Sequence, residues 1–299
     1  MDRIFSLSLR SCLDKIDVDW KNIQEVRMRC NQPLVVQFGR EEKVLDQKKG
    51  FITKSSMPYL VSMQEIQESL AYICQYSLYA YEDEIRQGYI TIRGGHRVGV
   101  SGQVVMENDE IRSLSYVTSL NLRVAHNIRG CGEHIFPYLW NGNRPCHTVI
   151  ISPPGAGKTT LLRDLVRLFS DGLGHFPGQS VSLIDERSEV AACFQGIPQN
   201  DVGMRTDVMD HCPKALGVKM VVRAMGPKIV AFDELGSNAD MEAVRYAAHS
   251  GCSVLTTMHG NEWFDPTGTF ERYILLNDWN SPQRIRKILN REGDVICGG

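Results

Sequence analysis

The chain has 299 residues, 42% hydrophobic and 23% charged, which excludes a disordered tail, a collagen-like fibre and a small disulfide scaffold and suits two globular domains. With 33 basic and 35 acidic residues the formal net charge is -2, so no global basic field draws the chain to nucleic acid or anionic lipid. No apolar run approaches the ~20 residues needed to cross a bilayer, and the opening MDRIFSLSLRSCLDKIDVDW lacks the apolar stretch of a signal peptide, which points to a cytosolic protein.

Glu25-Val26-Arg27-Met28-Arg29 alternates polar and apolar residues, and Leu34-Val35-Val36-Gln37-Phe38 follows Asn31-Gln32-Pro33, which predicts strand, turn, strand. Ile66, Leu70, Ile73, Leu78 and Tyr81 recur at helical spacing and predict a helix over 63–81. Tyr89-Ile90-Thr91-Ile92-Arg93 meets Gly94-Gly95 and resumes at Val98-Gly99-Val100, a hairpin whose turn uses the positive φ that glycine allows. Residues 111–130 read as a return strand and a linker closing at Gly130-Cys131-Gly132. Past residue 140 the pattern changes. Short continuous apolar runs at 147–151, 180–184, 229–232 and 253–257 alternate with helical stretches. Strands buried on both faces read this way, and a βαβ series means a parallel sheet with helices on both sides. The expected organisation is a smaller mixed α/β domain with its linker over 1–140, then an α/β core over 141–299. The nine cysteines are scattered without a CxxC pair and read as reduced, mostly buried small hydrophobes. Neither Cys131 with His134 nor His211 with Cys212 offers the four ligands in tight pairs that structural zinc wants.

In the core, Ile150-Ile151 runs into Ser152-Pro153-Pro154-Gly155-Ala156-Gly157-Lys158-Thr159-Thr160 and then a helical Leu161-Leu162-Arg163-Asp164-Leu165-Val166. This meets seven of the eight positions of the phosphate-loop pattern G-x-x-x-x-G-K-[ST], with Ser152 at the first glycine. Gly155 and Gly157 let backbone N–H groups turn in around a polyphosphate, and the positive end of the following helix faces the same anion. Lys158 would neutralise the β- and γ-phosphates, and the Thr159 hydroxyl would ligate Mg²⁺. ATP and Mg²⁺ are the expected ligands.

Lys228-Ile229-Val230-Ala231-Phe232-Asp233-Glu234 is an apolar strand ending in two carboxylates. Asp233 is the metal-side candidate and Glu234 the base that orients or deprotonates the attacking water. Leu183-Ile184-Asp185-Glu186-Arg187-Ser188-Glu189 is another strand ending in acids. Asp185 is a second metal-side candidate, and Glu186 and Glu189 are alternative catalytic carboxylates at the edge where open α/β sheets bind ligands. The same acids also suit the cap of a helix beginning at Ser188. Thr257 and His259 end a further strand, where a polar group senses the γ-phosphate. For charge at the transition state the candidates are Arg205 and Arg223 in the core and Arg112, Arg123 and Arg129 in the linker region, with no sequence feature choosing among them.

The order of phosphate loop, acidic box (Ile184-Asp185-Glu186-Arg187-Ser188-Glu189), Asp233-Glu234 and Thr256-Thr257-Met258-His259 resembles the secretion ATPase superfamily, the hexameric motors of type II and type IV secretion and of pilus retraction. Glu25-Val26-Arg27-Met28-Arg29 with Pro33-Leu34-Val35-Val36 resembles the first strands of their N-terminal domain. Gly94-Gly95-His96-Arg97-Val98-Gly99, Asp185-Glu186-Arg187-Ser188-Glu189 and Asp233-Glu234-Leu235-Gly236 narrow the resemblance, over nearly the whole chain, to a sporulation branch. It implies a RecA-like P-loop core behind an N-terminal α/β domain, a homohexamer, and a cytoplasmic ATPase at the membrane facing the mother cell. There it would power assembly of, or transport through, the channel to the forespore during engulfment, on an integral membrane platform protein. It also implies an arginine finger from the N-terminal domain or linker, near Arg123. Secretion ATPases often carry Gly-Glu where this chain has Asp233-Glu234, and their acidic box spaces its acids differently, which keeps both Glu186 and Glu189 as candidates. Two other functions use such a core. A nucleic-acid translocase is disfavoured by the near-neutral charge and the lack of an aromatic–basic stripe, so no nucleic-acid partner is expected. An ATP-gated assembly scaffold would bind nucleotide and turn over little.

Overall fold

Alternation of apolar and polar residues shapes the first half of the chain. The computed structural model describes residues 4–14, 20–39, 41–107, 109–277 and 284–298. Strands β1 (Ile23–Arg29), β2 (Val35–Phe38), β3 (Glu41–Asp46), β4 (Gly50–Ile52), β5 (Tyr89–Ile92), β6 (His96–Glu107) and β7 (Glu110–Arg123) form one antiparallel sheet in the order β4-β3-β2-β1-β7-β6-β5. Its inward residues, among them Val26, Met28, Val36 and Leu122, share one core with Leu9 and Leu13 of α1 (Leu7–Leu13) and Ile66, Leu70 and Ile73 of α2 (Met63–Ile73).

Two expectations shift here. The helix expected over 63–81 stops at Ile73. Gln75 and Tyr76 take φ of 50° and 62°, the Tyr76 N–H reaches back to the Ala71 carbonyl at 2.8 Å, and a 3₁₀ turn follows at Leu78–Tyr81 before α3 (Glu82–Arg86). The hairpin turn takes Arg93 along with both glycines, because Ile92 pairs with His96. The ribbon of β6 and β7 then outruns the sheet: β5 flanks β6 only to Gly99, and β1 flanks β7 only from Ser119.

The second half holds β8 (Thr148–Ser152), β9 (Val181–Asp185), β10 (Thr206–Asp210), β11 (Ile229–Phe232), β12 (Ser253–His259), β13 (Arg272–Leu276), β14 (Ile285–Leu289) and β15 (Val295–Gly298) in the order β10-β9-β11-β12-β8-β13-β14-β15. All are parallel as far as β13, and β14 and β15 are antiparallel additions at one edge. Every residue of β8, β9 and β11 is buried, because helices cover both faces. Ile150, Leu183, Ala231 and Leu255 pack with α4 (Lys158–Asp171). Val149, Ile184, Val230 and Phe232 face the other way, onto α5 (Lys214–Ala224) and α6 (Asn238–His249). The fold is the parallel α/β type that the βαβ series implies, and it fits the RecA-like core that the resemblance implies.

The chain divides into the compact units Met1–His126 and Asn127–Gly299, earlier than residue 140. The segment before β8 packs on α4 rather than acting as a linker. The Gly130 and Gly132 N–H groups donate to the Asp164 carboxylate at 3.0 and 2.8 Å, and the Phe136 and Phe169 rings lie 4.8 Å apart.

Candidate active site

Parallel register sets the site. Ser152 pairs with His259, Ile184 with Phe232, and Phe232 with Thr256. The ends of β9, β11, β12 and β8 therefore bring Asp185, Asp233, His259 and Ser152 to one carboxyl edge, at steps of about 4.8 Å per strand. From β8 the chain arches through Gly155 and Gly157, at φ 76° and 94°, and enters α4 at Lys158. No side chain caps α4, so its first N–H groups lack an acceptor of their own.

Lys158 is only 8% exposed. Its Nζ donates to the Ser152 carbonyl at 3.4 Å, the Pro153 carbonyl at 3.3 Å and His259 Nδ1 at 3.1 Å. Two of the acceptors are neutral carbonyls, and burial lowers the Lys158 pKa while Asp233 and Glu234 oppose that shift. A buried ammonium in this setting is short of an anion.

Next to it, Asp233 Oδ2 accepts from the Thr159 hydroxyl at 2.6 Å. Asp233 Oδ1 accepts from the Thr257 hydroxyl at 2.5 Å and the Glu234 N–H at 3.0 Å. The same N–H also donates to Thr257 Oγ1 at 2.9 Å. This clamp coexists with a φ of 54° at Glu234, a backbone state that costs a non-glycine residue about 1 kcal/mol or more. The Glu234 carboxylate is half exposed, 3.5 Å from His259 Nε2 and 3.6 Å from an Arg187 guanidinium nitrogen. The His259 ring thus lies between Lys158 and Glu234, with Nδ1 toward the first and Nε2 toward the second. Lys158, His259, Glu234 and Arg187 thus form one line of polar contacts from the loop to the acidic box.

The acids of that box have separate jobs. Asp185, 2% exposed, accepts from the N–H groups of Glu189, Val190 and Ala191 at 2.9, 3.0 and 2.8 Å. Burial pushes its pKa up, against those bonds. With three of about four acceptor positions taken, Asp185 anchors its own loop, and the metal-side role expected for it is not where its oxygens point. No helix begins at Ser188 either; Ser188 and Ala192 take φ of 52° and 49° in a turn. Glu186 pairs with Lys214 Nζ at 2.8 Å, at the start of α5. Glu189 faces a cleft of about 30 Å³ shared with Glu186, Lys214, Asp233 and Glu234, room enough for an ordered water.

Thr159 and Asp233 offer a hydroxyl and a carboxylate side by side. Among the described residues no cluster of three or more His, Cys, Asp or Glu suits a metal. That donor set fits Mg²⁺, which keeps waters and substrate oxygens as its remaining ligands. An apolar cavity of about 430 Å³ adjoins the loop, lined by Ala156, Gly157, Thr160, Cys131, His134 and Ile285 among others. Burial and Asp164 push the Cys131 thiol up to about 12, so it stays a neutral wall of that cavity.

The expected arginines go elsewhere. Arg205 donates to the Ser170 carbonyl at 2.9 Å, in the last turn of α4 and roughly 18 Å along that helix from Lys158. Arg223 is exposed in the last turn of α5. That helix starts at the carboxyl edge beside Glu186 and ends where the chain turns toward the start of β11, at the opposite edge of the sheet. Neither reaches the loop of its own chain. Arg123 closes β7, opposite Glu25 and Arg97. Arg129 pairs with Asp201 at 2.9 Å and Arg112 with Glu107 at 3.4 Å. Conversely, the site contains Arg187 and Lys214, which were not expected there. Arg187 sits inside the acidic box, and Lys214 directly follows Pro213 at a helix start, the signals that could have found them.

Parallel sheet, loop and following helix together define an α/β core of RecA-like type, and solved structures share the fold. The ATPase DotB of Legionella pneumophila is 15% identical with a TM-score of 0.58, covering 91% of this chain and 78% of that one. The pilus retraction motor PilT with bound ADP is 12% identical with a TM-score of 0.60, covering 95% and 82%. The chain belongs to the family described as sporulation stage III, protein AA, whose model matches residues 1–296. Stage III sporulation protein AA of Bacillus subtilis (strain 168) is 36% identical over 97% of this chain and 94% of its own length.

Proposed function

We propose that the second unit hydrolyses ATP with Mg²⁺ and that the cycle drives a motor. The buried Lys158 ammonium, held by two carbonyls and an imidazole nitrogen at the uncapped start of α4, carries this reading. The loop N–H groups and Lys158 take phosphate oxygens, and the apolar cavity beside Thr160 takes base and ribose. Lys158 then exchanges Ser152, Pro153 and His259 for phosphate. Glu234 takes the proton of the water that attacks the terminal phosphorus. Glu186, neutralised by Lys214, and Asp185, turned into its own loop, suit that task less; Glu189 is the second choice. When bound, Mg²⁺ neutralises charge on the phosphate oxygens. Arg187 adds positive charge from the same chain, and Arg123 is the candidate finger for a neighbouring copy.

Family membership and the likeness to DotB and PilT, an ATPase and a retraction motor by name, support the wider reading. The chain would work as a homohexamer on the mother-cell side, beneath the channel to the forespore, mounted on an integral membrane platform protein. No helix among the described residues is long and apolar enough to cross a membrane; in this reading the platform supplies that contact. The test is phosphate release from ATP-Mg by purified protein across a wide protein concentration range, beside direct binding of ATP. Turnover that rises with protein concentration is expected. Absence of ATP binding overturns the reading. Binding without turnover favours the gated scaffold, and salt-sensitive stimulation by DNA favours a translocase.

A further inference from the structure

Two of the exposed surfaces outside the site are opposite in charge. The first is the outer end of the β6–β7 ribbon, which no strand flanks beyond Gly99 and Ser119. There Val104, Val105, Met106 and Ile111 are 42%, 37%, 57% and 41% exposed, and Glu107 and Asp109 lie exposed at the turn, with Arg112 beside Glu107 at 3.4 Å. Two-stranded ribbons are marginal on their own, and clustered exposed apolar residues mark contact surfaces.

The second is the outer face of α5. Leu216, Lys219, Met220 and Arg223 are spaced i, i+3, i+4 and i+7 and share one exposed stripe, while Gly217, Val218 and Val221 pack inward. Leu216 and Met220 are 60% and 54% exposed, and Met225 continues the stripe. The helix KALGVKMVVRA contains no carboxylate. A face that is apolar and cationic selects an apolar, acidic occupant, and the ribbon end of this chain has that chemistry.

We propose that the ribbon end of one copy docks on α5 of a second copy. The two surfaces differ, so the contact is heterologous: repeated, it closes a ring or runs on as a filament. The proposal deepens the oligomeric part of the function proposed above, and rests on that reading for the closing of a ring. It also gives Arg223 a role at the sheet edge where the structure puts it.

Charge reversal tests it on the full chain. Glu107→Lys with Asp109→Lys reverses the ribbon end, and Lys219→Glu with Arg223→Glu reverses α5; all four positions are exposed, and thermal melts check that both variants fold. Sedimentation is measured with ATP-Mg over a range of concentrations. Wild type is expected to assemble, and each variant to need at least tenfold more protein to do so. An equimolar mixture of the two variants should assemble like wild type, because every contact then joins opposite charges between different copies. Variants that assemble unchanged, or a mixture that stays apart, overturn the docking and leave the ring reading standing. Wild type that is monomeric at every concentration overturns both.

Discussion

Helices α4 and α6 start at the same edge of the same sheet, each after a fully buried strand, yet their first turns are opposite in chemistry. Ser237 Oγ accepts from the Asp240 N–H at 3.1 Å, while Asp240 Oδ2 accepts from the N–H groups of Ser237 and Gly236 at 2.9 and 3.2 Å. That end is closed by its own side chains. Gly157, by contrast, brings no side chain to α4, and the buried lysine that follows hydrogen-bonds two carbonyls and an imidazole rather than an anion. The difference shows how one fold position becomes structural or ligand-binding: a helix end with a built-in acceptor has no need of an outside one.

Lys158→Ala should break the open end most severely. Phosphate release should fall at least a hundredfold, while the melting temperature holds or rises, since a buried ammonium has been removed; release at the wild-type rate would end the assignment of α4 as the binding end. Glu234→Gln should lower turnover about a hundredfold and leave ATP binding within a few-fold, read by single-turnover kinetics beside equilibrium binding. Ser237→Ala sharpens the comparison from the closed side. It should cost about 1 kcal/mol of stability in urea denaturation with ATP affinity unchanged; a lost affinity would mean the two ends are not independent.

The smallest effect is shared by both units. His147 Nδ1 accepts from the Val254 N–H at 3.2 Å, and His96 Nδ1 from the Ala125 N–H at 3.0 Å. Burial lowers both pKa values. The unfolded chain then binds protons below about pH 6.5 that the folded one refuses. Stability is full above that pH and falls as pH drops through the folded values. Urea midpoints at pH 7.5 and 5.5 should show this loss, and His147→Gln should reduce it.

The phosphate loop and Asp233 were legible in the sequence because each is a contiguous run at the end of an apolar strand. Parallel pairing then aligns such ends without further information. Other parts depend on contacts that no local spacing encodes. Asp185 reads as a free acid at a strand end, and only the left-handed turns at Ser188 and Ala192 fold its loop back onto it. Arg223 reads as a core arginine, and only the direction of α5 places it at the far edge. Strands β14 and β15 carry no continuous apolar run, because the outer antiparallel strands are part polar, as in Ile285–Leu289 with Arg286 and Lys287. Leu78 and Tyr81 keep the helical spacing of α2 across the turn that ends it at Ile73.

The left-handed backbone at Glu234 sets a conflict between durability and work at a single position. Glycine is the residue that relaxes this conformation, by about 1 kcal/mol, and it is also one that deletes the carboxylate. A population selected only for heat resistance would therefore drift toward Glu234→Gly and arrive at a sturdier protein without the carboxylate that the proposed hydrolysis needs. Under the proposed function, continued demand for hydrolysis is what keeps a strained glutamate there.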